Sequence, residues 1–361
     1  MRCNDFVSFS PEFRPRHLSK PAFLQRKKGA SGAAGVDVMP RLRHLTLKGV
    51  HVDWPALADA VDASRVGGLR SLSLGSHSAQ VRPGRAAFRR LLRASPGMEM
   101  LSVCGSGPVS GVDESSERVR FGNLHKLVVG YRSVGEARRV LASISGVVRE
   151  VVVEDVTHPG AVIDVDGNSV LACLLSDEGL LLSQVEELSL RNVKRVDGRG
   201  PLSTVLQGAT ALKKFKAEDM GVENVLMALE GCPCPKLESI AVKMGPMMSN
   251  PALLPVGVWF EMTKRMVEER ALKAASSLRK VKMSMELPHG SCAIAERVDA
   301  VVSGTLVGIE IRERTRMCEE SDDEEDEAEA YLPGGTFNDP VFDACWAPSP
   351  FVREEKLGAV V

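Results

Sequence analysis

Apolar residues along this chain recur in one short spacing: an apolar position, two variable ones, an apolar position, one variable one and a third apolar position. Leu42/Leu45/Leu47 opens the series, and Leu69/Leu72/Leu74, Met98/Leu101/Val103, Leu124/Leu127/Val129 and Val148/Val151/Val153 continue it. Val185/Leu188/Leu190, Leu212/Phe215/Ala217, Leu237/Ile240/Val242, Leu278/Val281/Met283 and Leu306/Ile309/Ile311 complete it. Successive starts lie 27, 29, 26, 24, 37, 27, 25, 41 and 28 residues apart. Within each unit the last two apolar positions alternate with variable ones, which puts them on one face of a short strand and their neighbours on the other.

Between these strands, apolar residues three or four apart predict helices over Trp54 to Val61, Gly84 to Ala94, Val134 to Ile144, Asn168 to Leu175, Pro201 to Leu206, Val222 to Leu229 and Ala293 to Val302. Pro55 and Pro201 stand where a proline suits a first helical turn. A longer helix is expected over Val258 to Ala275, with Trp259, Met262 and Met266 on its buried face. Neither strand nor helix of a unit can bury its apolar face alone, so the units must stack into one continuous core. The intervals fall mostly within the window of leucine-rich repeats. The expected fold is therefore α/β: an irregular leucine-rich-repeat solenoid, or horseshoe, over residues 40–315, with parallel concave strands and convex helices. Irregularity is expected because Val50, Val156, Val193 and Met220 stand eight residues after their unit starts, where an asparagine ladder is usual. The longer intervals have local causes, among them a turn at Asp164-Val165-Asp166-Gly167-Asn168.

The flanks differ in composition. Residues 1–39 carry Arg2, Arg14, Arg16, Lys20, Arg26, Lys27 and Lys28 against Asp5, Glu12 and Asp37, and are expected to be a disordered basic segment. Residues 316–330 form an acidic segment, expected to be disordered, in which Glu319 to Glu329 holds nine acids in eleven positions. Such a run repels itself and cannot build a core. Residues 331–361 contain Phe337, Phe342, Trp346 and Phe351, a tail expected to pack in part as an end cap. With 44% apolar but only 4% aromatic residues, the core has to be aliphatic. A balance of 46 basic and 47 acidic residues offers no global attraction to nucleic acid or to an anionic membrane. Eight scattered cysteines with no signal peptide before them imply a reducing compartment, cytoplasmic or nuclear.

Candidate chemistry is sparse. Asp164 to Asn168 resembles the start of a calcium loop, but its glycine arrives early and Leu175 takes the place of the closing glutamate. Cys232-Pro233-Cys234 lacks a second pair of ligands for zinc. Gly105-Ser106-Gly107 lacks the spacing of a nucleophile elbow and has no base partner that the sequence identifies. No catalytic, cofactor-binding or metal-binding constellation emerges, and the expectation is a protein without enzymatic activity or cofactor.

Recognition is the remaining role. The variable strand residues would line the concave face, where units one to four offer His44, Thr46, Lys48, Ser71, Ser73, Met100, Ser102, Cys104, Lys126 and Val128. Later units offer Lys214, Lys216, Lys243, Lys280 and Lys282, an expected basic patch with Glu218 as its one internal acid and Arg191 and Arg312 at either side. Such a patch suits an acidic or phosphorylated partner segment, or the chain's own Glu319 to Glu329. Ser321, followed by Asp322, Asp323 and Glu324, is placed for an acidophilic kinase.

Pro40-Arg41-Leu42-Arg43-His44-Leu45-Thr46-Leu47 followed by Trp54, Leu69-Arg70-Ser71-Leu72-Ser73-Leu74, Phe88-Arg89-Arg90-Leu91-Leu92-Arg93-Ala94-Ser95-Pro96 and Leu101-Ser102-Val103-Cys104-Gly105-Ser106-Gly107-Pro108 resemble the repeat region of fungal F-box proteins. The resemblance implies substrate recognition for an SCF-type ubiquitin ligase, with a protein target on the concave face and a Skp1-type adaptor bound through an F-box. Residues 1–40 show neither the leucine-proline opening nor the apolar helical array of that motif, so the resemblance covers the repeats and not the adaptor-binding segment. The other expectation is a stand-alone repeat scaffold or adaptor with no ligase role.

Overall fold

The computed structural model describes residues 42–313 except position 51 and segments 63–67, 110–116, 158–164, 176–179, 231–233, 246–255, 274–276 and 288–295. The basic segment 1–39, the acidic run with Ser321, the tail 331–361, Asp164 and Cys232 lie outside the described residues.

Strands form where the apolar spacing puts them, and helices follow most of them. In chain order the elements are β1 (His44–Lys48), α1 (Trp54–Asp62), β2 (Ser71–Gly75), α2 (Arg85–Arg93), β3 (Met100–Cys104), β4 (Val119–Phe121), β5 (Lys126–Tyr131), α3 (Val134–Leu141), β6 (Ile144–Gly146) and β7 (Glu150–Asp155). They continue as α4 (Gly167–Leu174), β8 (Glu187–Arg191), α5 (Pro201–Gly208), β9 (Lys214–Glu218), α6 (Val222–Glu230), β10 (Ser239–Met244), α7 (Val256–Lys273), β11 (Lys280–Leu287), β12 (Glu296–Val302) and β13 (Thr305–Glu313). Eleven strands make one sheet in the order β1-β2-β3-β5-β7-β8-β9-β10-β11-β13-β12. Every pairing in it is parallel except that of β12 with β13. The fold is α/β, with a large, mostly parallel sheet alternating with helices.

One core joins alternate strand residues to the helices: Leu72, Leu74, Leu101, Val103, Leu127 and Val129 share it with Leu57, Phe88, Leu91 and Val140. Its few aromatics, among them Tyr131, Phe88, Phe121, Phe215, Trp54 and Trp259, are buried in a core otherwise made of aliphatic side chains.

Backbone hydrogen bonds fix the register at both ends of the strands. At the start, the Arg43 carbonyl accepts the N–H groups of Arg70 and Ser71, the Arg70 carbonyl accepts those of Glu99 and Met100, and the Glu99 carbonyl accepts those of His125 and Lys126. His125, Arg149, Glu186, Lys213 and Glu238 repeat this double acceptance, each from the next strand of the sheet. At the far end Gly49, Ser76, Gly105, Asn192 and Asp219 all take left-handed backbone conformations, with φ of 54°, 55°, 58°, 51° and 55°. Each sends its N–H to the carbonyl of the neighbouring strand: Gly75, Cys104, Gly130, Glu218 and Lys243 respectively. The expected absence of a regular asparagine ladder is thus answered by a column of backbone bonds, in which glycine, asparagine and aspartate tolerate the left-handed turn best.

Two sequence expectations are corrected, and one small sheet is added. Ala293 to Val302 is expected as a helix, yet Glu296–Val302 is the strand β12. Val298, Ala300 and Val302 satisfy a period of two as well as a helical one, and the two-residue turn Ser303-Gly304, with φ of 48° and 80°, closes a tight hairpin to β13. The last unit is also displaced by two residues. Val281 and Met283 pair with Val307 and Ile309, so the equivalent of Leu278/Val281/Met283 begins at Gly304, and Leu306 is 46% exposed on the other face. Finally, β4 and β6 form a separate two-stranded parallel sheet that the spacing does not announce.

Glu136 holds the loop after β3 to α3. Its Oε1 accepts the Gly107 N–H at 2.7 Å and lies 3.2 Å from the Arg82 guanidinium, while Oε2 accepts the Arg132 N–H at 3.0 Å. The carboxylate is 1% exposed, so removing it takes the counter-charge from the half-buried Arg82 guanidinium and the acceptor from two amides. Glu136→Ala is expected to cost about 3–5 kcal/mol, read as a lowered urea midpoint, whereas Glu99→Ala, in a solvent-exposed pair with Arg70, should change it by under ~1 kcal/mol.

Candidate functional site

Each strand of the sheet points its intervening residues to the face away from the helices, and the register assembles them into rows. One row reads His44, Ser71, Met100, Lys126, Glu150, Glu187, Lys214, Ser239, Lys280 and Leu306. The next reads Thr46, Ser73, Ser102, Val128, Val152, Ser189, Lys216, Ala241, Lys282 and Gly308, and the third runs from Lys48 through Glu154, Arg191, Glu218 and Lys243 to Glu310. All five expected lysines stand on this face. The side chain of Arg312 lies outside the described residues.

The rows also contain acids that the sequence reading passed over: Glu150, Glu154 and Glu187 belong to the fifth and sixth units, to which the same spacing applies. Their presence corrects the expected basic patch. Lys216 lies 2.8 Å and Lys214 3.7 Å from Glu187, Lys126 lies 2.7 Å from Glu150, and Arg191 lies 3.3 Å from Glu218. Lys243 pairs with Glu286 at 3.0 Å. Each of these cations is therefore paired with an acid on a neighbouring strand, although Glu150 and Glu187 themselves stand opposite one another. Lys280 and Lys282 depart from this pattern: both are exposed, and no carboxylate of the described residues lies within ion-pair distance of either. They line a shallow hollow with Arg297, Asp299, Leu306 and Glu310. Across this face exposure changes along the sheet, with Thr46 and His44 exposed at one end while Ser102, Val152, Glu154 and Ser189 near the middle are buried.

Burial alone would push the Glu187 carboxyl upward, but the hydrogen bond from Lys216 and the charges of Lys216, Lys214 and Lys126 outweigh it and hold the group below its ordinary value. A carboxylate depressed in the folded state contributes stability above its unfolded pKa and loses it as pH falls through the folded value.

The other candidate chemistry resolves into structural roles. Asp166 accepts the N–H groups of Asn168 and Ser169 as the N-cap of α4. The hydrogen bond from the Ser169 hydroxyl, with those amides, holds its carboxyl below the usual range. The Cys234 thiol donates to the Leu206 carbonyl at 3.2 Å. Ser106 does have a base beside it, contrary to the sequence reading: His77 Nδ1 is 2.9 Å from its Oγ, which also accepts the His77 N–H at 3.0 Å. Both side chains are fully buried, and His77 packs edge-on to Trp54, so the pair ties one loop to the next within the core. No group of three metal-ligating side chains occurs among the described residues. No described helix is long and apolar enough to cross a membrane.

Glu187→Gln tests the charge ladder. Because its lysine partners are about half exposed, the substitution is expected to cost only ~0.2–1 kcal/mol at pH 7. The same variant should lose less stability than the parent when pH is lowered from 7 to below ~4, as read from urea midpoints at the two pH values; an identical acid dependence would refute the pairing.

Compared with known proteins, the chain matches no family model, and no curated protein matches it at a significant level.

Proposed function

We propose that this chain is a non-catalytic protein-binding module of the leucine-rich-repeat type. In this reading the sheet is the inner wall of an irregular solenoid, its helix-free face is concave and receives a protein partner, and the module recognises substrates for an SCF-type ubiquitin ligase. The observation that carries the reading is the ladder itself. Strands set by one repeated spacing pair in strictly sequential order, in parallel and in one register, from β1 to β11. Repeat architectures built this way present a long row-ordered surface, and its variable side chains are the natural place for specificity. The face supplies two kinds of contact: small hydroxyl and imidazole groups at His44, Thr46, Ser71 and Ser73, and an ordered set of charges from Lys126 onward.

A second reading is a stand-alone scaffold or adaptor with no ligase role, since a row-ordered repeat surface can serve binding alone. Mixing the full chain with a purified Skp1-type adaptor and measuring complex formation by calorimetry separates the two. Heat of binding and a stoichiometric complex are expected under the ligase reading, and their absence leaves the scaffold. For either reading, Ser73→Arg on β2 is expected to weaken the partner recovered with the full chain at least ~10-fold, equivalent to ~1.4 kcal/mol, without moving the thermal midpoint. An equal change placed at exposed Asp59 on α1 should leave recovery unaltered.

A further inference from the structure

Among the described residues, the ion pairing of the lysines on the helix-free face stops at β11. From β5 to β10 each lysine has an acid on an adjoining or nearby strand: Lys126 with Glu150, Lys214 and Lys216 with Glu187, Lys243 with Glu286. β11 adds two more lysines, and among the described residues no carboxylate lies within ion-pair distance of either, although Glu310, two residues beyond Gly308 on β13, shares their hollow. Lys280 is flanked in its row by Ser239 and Leu306, and Lys282 by Ala241 and Gly308. Their neighbours are thus short or uncharged, and the ammonium groups stand over a hollow. Arg297, on its rim, is already engaged by Asp299 at 2.7 Å, and Asp299 lies over Gly308, where a Cβ would meet its Oδ1 at 2.9 Å. With Asp299 and Glu310 set against Arg297, Lys280 and Lys282, the lining of the hollow carries one positive charge in excess.

We infer that this hollow is the docking site of the chain's own acidic segment, residues 319–329. Three observations meet there. The first is complementarity: the segment offers nine acids in eleven residues, and the hollow offers an excess positive charge with two lysines that no described carboxylate reaches at ion-pair distance. The second is tether length. Residues 314–318 separate the end of β13 from Glu319, and five extended residues reach ~17 Å. Gly308, which pairs with Lys282, is five residues before Glu313, or ~17 Å back along the strand. A chain that reverses after β13 brings its first acids level with the lysines. The third is selectivity of position, because the same segment would find Lys214, Lys216 and Lys243 already paired. Screening over ~8 Å at physiological salt means that only a docked segment profits from these charges, and a short tether supplies a millimolar effective concentration. The inference does not depend on a ligase role; it makes the last strands of the face available to an acidic partner only when the segment leaves.

The test uses a labelled synthetic peptide of residues 316–330 and the full chain in which the nine acids of 319–329 are replaced by Asn or Gln. This neutralised chain is expected to bind the peptide at least ~10-fold more tightly than the parent chain at low salt, with the difference lost at ~0.5 M salt as the Debye length falls. Adding Lys280→Glu and Lys282→Glu to the neutralised chain should abolish that gain, whereas adding Lys214→Glu should not. Both targets are exposed, so thermal midpoints are expected to stay unchanged. Equal binding by parent and neutralised chains, or a gain that survives the double charge reversal, overturns the proposal. Carbodiimide cross-linking of a mixture of unlabelled and 15N-labelled parent chain adds a second readout. Links from Lys280 or Lys282 to 319–329 within one isotopic chain are expected, and links only between isotopic forms would assign the segment to a second copy instead. Failure on these readouts leaves adaptor binding untouched, so the two proposals fall separately.

Discussion

The structure depends on a carbonyl at the start of eight of its strands that accepts two backbone N–H groups from the strand beside it. Arg43, Arg70, Glu99, His125, Arg149, Glu186, Lys213 and Glu238 each do this, handing the register from one end of the sheet towards the other. None of it requires a particular side chain, which is why the column is occupied by arginine, glutamate, histidine and lysine alike. The opposite ends are tied by the left-handed residues from Gly49 to Asp219, again through main-chain groups. With both ends fixed, the connections between strands are free to vary. Repeat intervals of 24 to 41 residues coexist in one register, because loop-closure entropy rises by only ~0.6 kcal/mol for each doubling of length. An α7 of eighteen residues and an α3 of eight follow equivalent strands without disturbing them.

This division explains what could be read in advance. The positions that contribute Leu, Val or Ile to the core repeat because they are geometrically equivalent, and nearly every strand and helix follows from them. The failures occur where two geometries share one pattern. A period of two is blind to a slip of two, so Ile309 and Ile311 look like the closing pair of a unit, although Val307 and Ile309 fill that place. The run through Val298, Ala300 and Val302 suits a helix or a strand, and the hairpin turn at Ser303-Gly304 decides between them. Strands of three residues such as β4 and β6 contain too few positions to show a period at all.

The charges teach a different lesson. Lys214 and Glu187 are 27 residues apart in sequence but directly opposite in the sheet, and Lys216 reaches the same carboxylate. A count of lysines taken unit by unit sees a patch; the same residues placed in register are, up to β10, members of ion pairs between neighbouring strands. The positions of Glu150, Glu154 and Glu187 were available from the spacing that placed the lysines, since they occupy the same places in their own units. What the sequence does not reveal is which pairs close, because Lys243 passes over its row neighbour Ser284 to reach Glu286 further along β11.

A lattice of satisfied pairs has a consequence for recognition. Half-exposed ion pairs add little stability, ~0.2–1 kcal/mol each, yet they remove the long-range pull that a bare row of lysines would exert on any anion. Binding to such a face must then displace a pair, match both of its charges, or use the places where pairing is absent. The face offers the last of these at its two ends, in the hydroxyl-lined rows of β1 and β2 and at the lysines of β11, while its middle is recessed around Ser102, Val152 and Ser189. Gly130 belongs to that recess, because a Cβ there would come within 2.9–3.0 Å of the Cys104 backbone and side chain. A rigid globular ligand pressed on the centre would meet neither exposed apolar area nor free charge. An extended segment that follows the rows from strand to strand can reach both ends, and the regular spacing of the rows, fixed by the carbonyl ladder, is what would set the period of the side chains it must carry.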